Sequence, residues 1–143
     1  MYRILLPTDG SDIARRGLVY VKRLADAGLK VEVRIVSSLE PLLTVGEYSS
    51  PQMVVALTES AEQAQRDALD RTAEDAKRLG LSFTSVATQG SNVAGDILAE
   101  AGRWQADQIV MGTHGRGALG QLVMGSVAQR VIHAATIPVT LVR

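Results

Sequence analysis

The residues with the clearest chemical potential lie in a glycine-rich segment between Met111 and Ser126. Its five glycines are Gly112, Gly115, Gly117, Gly120 and Gly125. An apolar, strand-like run precedes the segment and an amphipathic, helix-like run follows it. Glycine lets a backbone approach a ligand without a Cβ, and the N–H groups that begin a helix favour an anion. The sequence therefore predicts a phosphate-binding loop at a strand-to-helix junction.

Two widespread nucleotide motifs do not fit this segment. A P-loop ends in Gly-Lys-Ser/Thr, and the chain contains no Gly-Lys pair, which excludes a Walker-type NTPase. Residues 115–120 match G-x-G-x-x-G as a string. A dinucleotide-binding fold, however, places that string after its first strand, with an acidic residue about 20 positions later. Here the string precedes the last predicted strand, so the match is accidental.

The candidate residues also have plainer explanations. Glycines at a strand end often serve only to make a tight turn. Asp9, likewise, has an alternative role as a turn residue whose side chain bonds its own backbone. His114 fits a solvated loop residue better than a catalytic base, because no orienting partner can be named for it. The density of glycines and the Gly125-Ser126 helix start favour phosphate binding over a simple turn.

Composition restricts the partners and the compartment. The 143 residues carry 15 Lys+Arg and 15 Asp+Glu, so no excess positive charge attracts a polyanion, and nucleic acid is disfavoured as a partner. Cysteine is absent, which fits a reducing compartment and favours a cytoplasmic location. No apolar run approaches the ~20 residues of a membrane span, and no leader peptide is indicated. The length is typical of one domain, which we expect to span residues 1–143.

Strand-like and helix-like runs alternate along the chain, which predicts an α/β fold with a mostly parallel sheet covered on both faces. The predicted strands are residues 3–7, 31–36, 81–88, 107–111 and 137–142. The first is almost continuously apolar and belongs near the middle of the sheet, whereas the third has mixed polarity and belongs at an edge.

Four helices are predicted between these strands. The first is capped by Ser11 or Asp12 and ends at Gly28, and the third, over 93–102, must be capped by Ser91 or Asn92. The fourth covers 126–135, with its apolar stripe on Val127, Val131 and Ala134.

The second helix and the loop before it are less regular. Residues 37–50 are predicted to form a long loop, a candidate lid over a ligand. The helix begins at Pro51 and carries an apolar stripe through residues 54, 57, 61, 64 and 68. A continuous rod to residue 79 would be about 43 Å long, so a break is expected at 58–60.

The glycine pattern is one of three short motifs that follow one another in a fixed order along the chain. They are residues 6–11 (Leu-Pro-Thr-Asp-Gly-Ser), the pattern Gly112-x2-Gly115-x9-Gly125-Ser126, and the Ile-Pro-Val at 137–139 that opens the apolar terminal run. Together they closely resemble the ATP-binding branch of the universal stress protein superfamily, over the whole chain. One departure is Val93, near a position where the family commonly has a proline.

The resemblance implies a five-stranded parallel sheet in the order 3-2-1-4-5, with helices on both faces. This order sets the carboxyl ends of the first and fourth strands side by side at the topological switch point, where open α/β sheets bind ligands. Asp9 and Gly112 are then expected to face each other across the crevice.

The resemblance also implies which residues contact the nucleoside. Asp9, which follows Pro7 and Thr8, would hold the ribose hydroxyls. Val36 would meet the adenine through its backbone, beside the apolar side of Met111.

The same resemblance implies a second set of residues around the phosphates. Gly112 and Gly115 would line the ribose and phosphates, and Gly125, Ser126 and Val127 would bind the phosphate tail mainly through backbone N–H groups. Arg116 would reach the outer phosphates. The implied ligand is ATP, with Mg²⁺ held through the phosphates and not by metal-ligating side chains; ADP, AMP and cyclic nucleotides remain alternatives.

Three functional classes are open, in order of preference. The first is an ATP-binding stress-response regulator that passes its occupancy to a protein partner or to its own homodimer, which would form through Val139 and Leu141 of the terminal strand. The second is an enzyme, either a slow ATPase or a self-phosphorylating protein, for which no catalytic base is evident. The third is an interaction module without nucleotide.

Overall fold

The computed structural model describes residues 1–40, 50–90, 92–114 and 124–143. Within these ranges the elements follow one another as alternating strands and helices. They are β1 (Tyr2–Pro7), α1 (Asp12–Asp26), β2 (Val31–Leu39), α2 (Pro51–Arg78), β3 (Phe83–Gln89), α3 (Val93–Trp104), β4 (Gln108–Gly112), α4 (Ser126–Ala134) and β5 (Val139–Val142). The predicted alternation of strands and helices is therefore confirmed.

The strands form one sheet in the order β3-β2-β1-β4-β5, and every pairing is parallel. β1 occupies the centre because Ile4, Leu5 and Leu6 are fully buried on both faces of the sheet. β3 and β5 form the two edges. Both the predicted strand order and the predicted burial ranking are confirmed.

Two apolar layers sandwich the sheet. On one face, Leu18 and Val21 of α1 and Leu69 and Ala76 of α2 pack against the side chains of Ile4 and its neighbours. On the other face, α3 and α4 pack on a second cluster; its buried members include Leu5, Val36, Ala94, Ile97, Met111, Ala128 and Val131. The carboxyl ends of β1, β2 and β4 are thus held between layers that packing makes rigid.

The residues predicted to mark the starts of three helices do so. Ser11 accepts a hydrogen bond from the Ala14 N–H at the start of α1, and Asn92 accepts one from the Gly95 N–H at the start of α3. Pro51 occupies the first turn of α2. Gly28 ends α1 with a positive φ of 97°, a conformation that glycine adopts without a steric penalty.

The structure corrects the predicted start of the loop at residue 37. Ser37, Ser38 and Leu39 continue β2 because they pair with residues 87–89 of β3. Polar residues are common at the ends of strands, so sequence alone did not separate this strand end from a loop. The candidate lid was the whole predicted loop, residues 37–50, and residues 41–49 of it lie outside the described residues.

The predicted break at 58–60 is wrong, because α2 is one continuous helix of 28 residues. Thr58 does not open the helix: its hydroxyl donates to the Val54 carbonyl at 2.9 Å, one turn earlier. The length is tolerated because the first third of α2 is exposed and does not pack within the sheet layers.

The predicted apolar stripes of two helices are also partly wrong. In α2 the buried positions are Gln65, Ala68, Leu69, Thr72 and Ala76, so of the predicted stripe residues only Ala68 is buried. In α4, Ala128 and Val131 are buried and Ala134 is exposed. Threonine and glutamine in the buried face of α2 hid its true register from an analysis based on apolar periodicity.

Candidate functional site

The end of β1 leads into a short turn whose polar groups are largely satisfied by the protein itself. Pro7 and Thr8 are buried, and the Thr8 N–H donates to the Val36 carbonyl of β2 at 2.8 Å. The Thr8 hydroxyl accepts from the Gly10 N–H at 3.0 Å. Gly10 has a φ of +77°, which makes glycine the favoured residue at this position. The turn is therefore held in one conformation from both ends.

Asp9 lies at the tip of this turn and is half-buried. Its Oδ1 accepts a hydrogen bond from the Ser11 N–H at 2.9 Å, which is the bond of an Asx turn. The alternative role predicted for Asp9, a turn residue bonded to its own backbone, is thus present. A carboxylate offers about four acceptor positions, so this bond is compatible with contacts to a ligand.

The end of β4 lies directly against the first turn of α1. A Cβ added to Gly112 would come within 2.8 Å of the Ile13 Cγ2 and 3.2 Å of the His114 carbonyl oxygen. β1 and β4 are neighbours in the sheet, so their carboxyl ends lie side by side as predicted, while the expectation that Asp9 faces Gly112 stays a prediction. Glycine is required at position 112 because a side chain would fill this approach.

The start of α4 contacts the same end of β4. The Gly125 N–H donates to the Thr113 carbonyl at 2.8 Å, and a Cβ on Gly125 would lie 3.2 Å from the His114 Cα. Gly125 is the N-cap of α4 and provides no side-chain cap. Ser126 and Val127, the first two residues of α4, are therefore brought next to the end of β4.

Val36 and Met111 lie toward the carboxyl ends of β2 and β4 near these polar groups. Both are buried in the cluster on the α3 and α4 face of the sheet. The Val36 carbonyl already accepts the Thr8 N–H, so a backbone contact to adenine at this oxygen would use its second lone pair.

His114 has a partner that sequence analysis did not find. Its Nδ1 lies 2.9 Å from the Thr113 hydroxyl, and the residue is half-buried. The expectation of a solvated loop residue is therefore only partly right. Gly115 and Arg116, the remaining predicted contacts, lie outside the described residues.

Behind the β1 turn, an ion pair ties α1 to α2. The Arg15 guanidinium hydrogen-bonds Asp75, and this bond raises the pKa of Arg15 above its ordinary value. Asp12 adds a second contact to Arg15 at 3.0 Å. The pair lies near the protein surface, where such contacts contribute little stability.

Sequence analysis missed two side chains that α2 directs at the strand ends, Gln65 and Thr72. Thr72 is fully buried and its hydroxyl lies 2.9 Å from that of Thr8. Gln65 donates to the carbonyls of Ser37 and Thr88 at 2.6 and 2.9 Å. The available signal was their spacing of seven residues, which places both on one helix face.

Comparison with known proteins decides the family. The model of the universal stress protein family matches residues 1–143. A universal stress protein of Thermus aquaticus is 36% identical over 144 residues, covering 98% of this chain and 97% of the relative. The chain belongs to the universal stress protein family. Another member, from Methanocaldococcus jannaschii, is 29% identical and is covered over 81% of its length.

Solved structures agree with this family fold. The hypothetical protein MJ0577 superposes with a TM-score of 0.82 at 24% identity, covering 98% of this chain and 94% of that one. UspA from Lactobacillus plantarum gives a TM-score of 0.81 at 19% identity, covering 99% and 97%. At these identities the likeness establishes the fold alone. Within the described ranges, none of the helices combines the length and apolar character needed to cross a membrane.

Proposed function

We propose that this universal stress protein binds ATP at the carboxyl ends of β1 and β4 and acts as a nucleotide-dependent regulatory switch. The observation that carries the proposal is the approach of three segments. Gly112 lies against Ile13 after the β1 turn, and Gly125 closes onto Thr113 and His114. Added Cβ atoms would meet protein atoms at both places, so the two glycines let the segments pack closely enough for their backbone groups to face one phosphate-bearing ligand.

The nucleoside half of the ligand is assigned to the β1 turn and the apolar surface beside it. Asp9 is proposed to hold the ribose hydroxyls, next to the buried Pro7 and Thr8. Val36 would contact the adenine through its backbone and Met111 through its side chain. The burial of Val36 and Met111 in one cluster supports an apolar wall at this end of the sheet.

The phosphates are assigned to the start of α4. The first N–H groups of a helix have no intrahelical partner and carry the positive end of the helix dipole. Gly125 has no side chain with which to cap them, so Ser126 and Val127 would donate to phosphate oxygens, and the Ser126 hydroxyl would add one bond. Gly115 and Arg116 complete the proposal by resemblance to the family, with Mg²⁺ bound through the phosphates.

Solved members of the family support an adenine nucleotide as the ligand class. A universal stress protein from Archaeoglobus fulgidus was solved in complex with dAMP, with a TM-score of 0.67 to this chain. A family member from Arabidopsis thaliana was solved with AMP bound, and another universal stress protein in complex with cAMP. Adenine is common to these ligands, whereas the number of phosphates differs, so the triphosphate is our specific choice for this chain.

The proposed output of the switch passes through a homodimer formed by β5 or through an unidentified protein partner. β5 is an edge strand. Ile109 of β4 and Thr113, the residue after β4, donate to the carbonyls of Pro138 and Val142, so by alternation the backbone groups of Val139 and Leu141 face away from β4. Pairing with the same strand of a second copy would satisfy these groups and cover an edge that otherwise invites aggregation.

Sedimentation velocity tests the dimer. We expect Val139→Lys or Leu141→Lys to convert a dimer into a monomer, because like charges would face each other across the two-fold axis. Ile132→Lys is the matched control, since it adds the same charge at an exposed position of α4. Both Val139 and Leu141 also pack against the core, so circular dichroism must show that the variants stay folded. A monomeric wild type would contradict the dimer.

Mass spectrometry of the nucleotide released from freshly purified, denatured protein tests the ligand. Release of intact ATP supports a binding switch. Release of ADP alone would favour the slow ATPase, and a protein that carries no nucleotide and binds none when titrated would favour the interaction module.

A further inference from the structure

A chain of three hydrogen bonds links the middle of α2 to the turn that follows β1. The Thr72 hydroxyl, fully buried, donates to the Ala68 carbonyl at 2.7 Å. It also lies 2.9 Å from the Thr8 hydroxyl. The Thr8 hydroxyl in turn accepts the Gly10 N–H at 3.0 Å. The chain therefore runs from the backbone of α2 to the backbone of the turn.

The direction of each bond follows from the number of protons available. A hydroxyl has one proton and two lone pairs. Thr72 uses its proton on Ala68, so it must accept from Thr8, and Thr8 is left with an acceptor for Gly10. Each hydroxyl thus serves as donor and acceptor at once, which fixes both rotors and, with them, the position of Gly10.

Gln65 makes a second anchor on the same face of α2. Its amide donates to the Ser37 carbonyl of β2 and to the Thr88 carbonyl of β3. Gln65 and Thr72 are seven residues apart, about two helical turns, and both are buried. One helix face therefore holds the carboxyl ends of β1, β2 and β3 together through polar contacts.

We propose that Thr72 is a positioning residue for nucleotide binding, which sets the turn that carries Asp9 through the hydroxyl of Thr8. This inference rests on the proposed function, because it assigns the turn to the ribose of the bound nucleotide. Valine would fill the volume of Thr72 as well as threonine does, but it cannot accept the Thr8 proton. Without that acceptor, a buried donor is left unpaired and the turn relaxes to find another partner.

Calorimetric titration of Thr72→Val with ATP, 2′-deoxyATP and inorganic tripolyphosphate tests the role. We expect ATP affinity to fall about five- to ten-fold, the loss that follows from one buried hydrogen bond. The preference for ATP over 2′-deoxyATP should shrink, because the ribose contact is misplaced. Tripolyphosphate affinity should stay within about two-fold of wild type, since the start of α4 is unchanged.

Thr58→Val is the matched control. Thr58 belongs to the same helix and its hydroxyl makes the same bond, to the carbonyl four residues earlier. It is far along the helix from the strand ends, so this variant should bind all three ligands as wild type does. Thr72→Ser should restore most of the ATP affinity, because it keeps the hydroxyl.

Three results would overturn the role of Thr72. One is unchanged ATP affinity in folded Thr72→Val, and another is an equal loss for ATP and tripolyphosphate, which would indicate general loosening. The third is a wild type that binds no nucleotide, which removes the proposed function as well and is recognised because the wild type is titrated first. If Thr72→Val does not fold, the same titrations are made with Thr72→Ala and Thr72→Ser. Both side chains are smaller than threonine, and only serine keeps the hydroxyl.

Discussion

The turn after β1 and the start of α4 lie at the same edge of the sheet but satisfy their backbone groups in opposite ways. In the turn, the N–H groups of Gly10 and Ser11 are bonded by the side chains of Thr8 and Asp9. At α4, the N-cap is Gly125, which has no side chain with which to cap the helix. The side chains of the turn bond its own N–H groups, whereas at the start of α4 the N-cap residue provides no side-chain cap, and we propose that a phosphate binds there.

The other described helices show that this difference is specific. α1, α2 and α3 are each capped by a side chain, from Ser11, Ser50 and Asn92 respectively. A glycine N-cap costs a helix only a few tenths of a kcal/mol relative to a capping side chain. We propose that a phosphate takes the place of the capping side chain at α4.

The largest expected effect follows from Gly125→Ala. The new Cβ would lie 3.2 Å from the His114 Cα and 3.5 Å from the Thr113 carbonyl oxygen, so the start of α4 must shift away from the end of β4, where we propose that the phosphates bind. We expect ATP affinity to fall at least about ten-fold, or about 1.4 kcal/mol, and the ATP-dependent rise in melting temperature to disappear.

Gly102→Ala is the control for this variant. Position 102 is in α3, and among the described residues no atom outside its own helix backbone and chain neighbours lies within 4 Å of an added Cβ, so the change should preserve binding and stabilise the helix by roughly 0.5–1 kcal/mol. Wild-type ATP affinity in Gly125→Ala would show that the glycine serves only the turn.

Gly112→Ala should have the next largest effect, and it acts on the fold as well as on the ligand. Its Cβ would meet the Ile13 Cγ2 at 2.8 Å, which forces α1 away from β4 and should cost about 1–3 kcal/mol of unfolding free energy. Ile13→Ala removes the opposing methyl group. The double variant should therefore be more stable than the sum of the single changes predicts, as measured by urea denaturation. Strict additivity would contradict the contact.

Asp9→Asn distinguishes the role of Asp9 in the turn from its proposed contact with the ribose. The asparagine oxygen can still accept the Ser11 N–H, so unfolding free energy should change by less than about 0.5 kcal/mol. Loss of the charge should weaken ATP binding about three- to ten-fold, because charge-assisted bonds to the ribose are roughly twice as strong as neutral ones. The measurement is calorimetric titration with ATP and 2′-deoxyATP. If wild type and Asp9→Asn bind ATP with equal affinity, Asp9 acts only as a turn residue.

The smallest effects are expected from substitutions at the starts of α1 and α4. Ser11→Ala removes a cap and should cost about 1 kcal/mol of stability, with little change in ATP affinity. Ser126→Ala removes no cap and should leave stability unchanged, while ATP binding weakens about three-fold through the lost hydroxyl bond. Thermal melts with and without ATP measure both changes. The reverse pattern would place the ligand at α1.

The sequence predicted the fold well where one physical signal dominated. Ile4, Leu5 and Leu6 identify the central strand because only a strand covered on both faces is apolar without interruption. Ser11, Gly28 and Pro51 marked helix ends because their backbone requirements are local. The sheet order came from the family resemblance and not from periodicity.

The predictions that were wrong depend on tertiary contacts. Ser37 and Ser38 extend β2 only because β3 lies beside them. The continuity of α2 through Thr58 depends on a helix that projects past the sheet. For the candidate site, the glycines were visible in the sequence, but Gln65 and Thr72 were not, because a buried polar residue on a helix looks like an exposed one until its partners are known.

The decisive experiment is calorimetric titration of nucleotide-free protein with ATP and Mg²⁺, for the wild type and for Gly125→Ala. We expect one ATP bound per chain in the wild type and a loss of affinity of at least about ten-fold in the variant. A wild type that shows no binding, or a variant that binds as tightly as the wild type, would contradict the claim that a phosphate completes the start of α4.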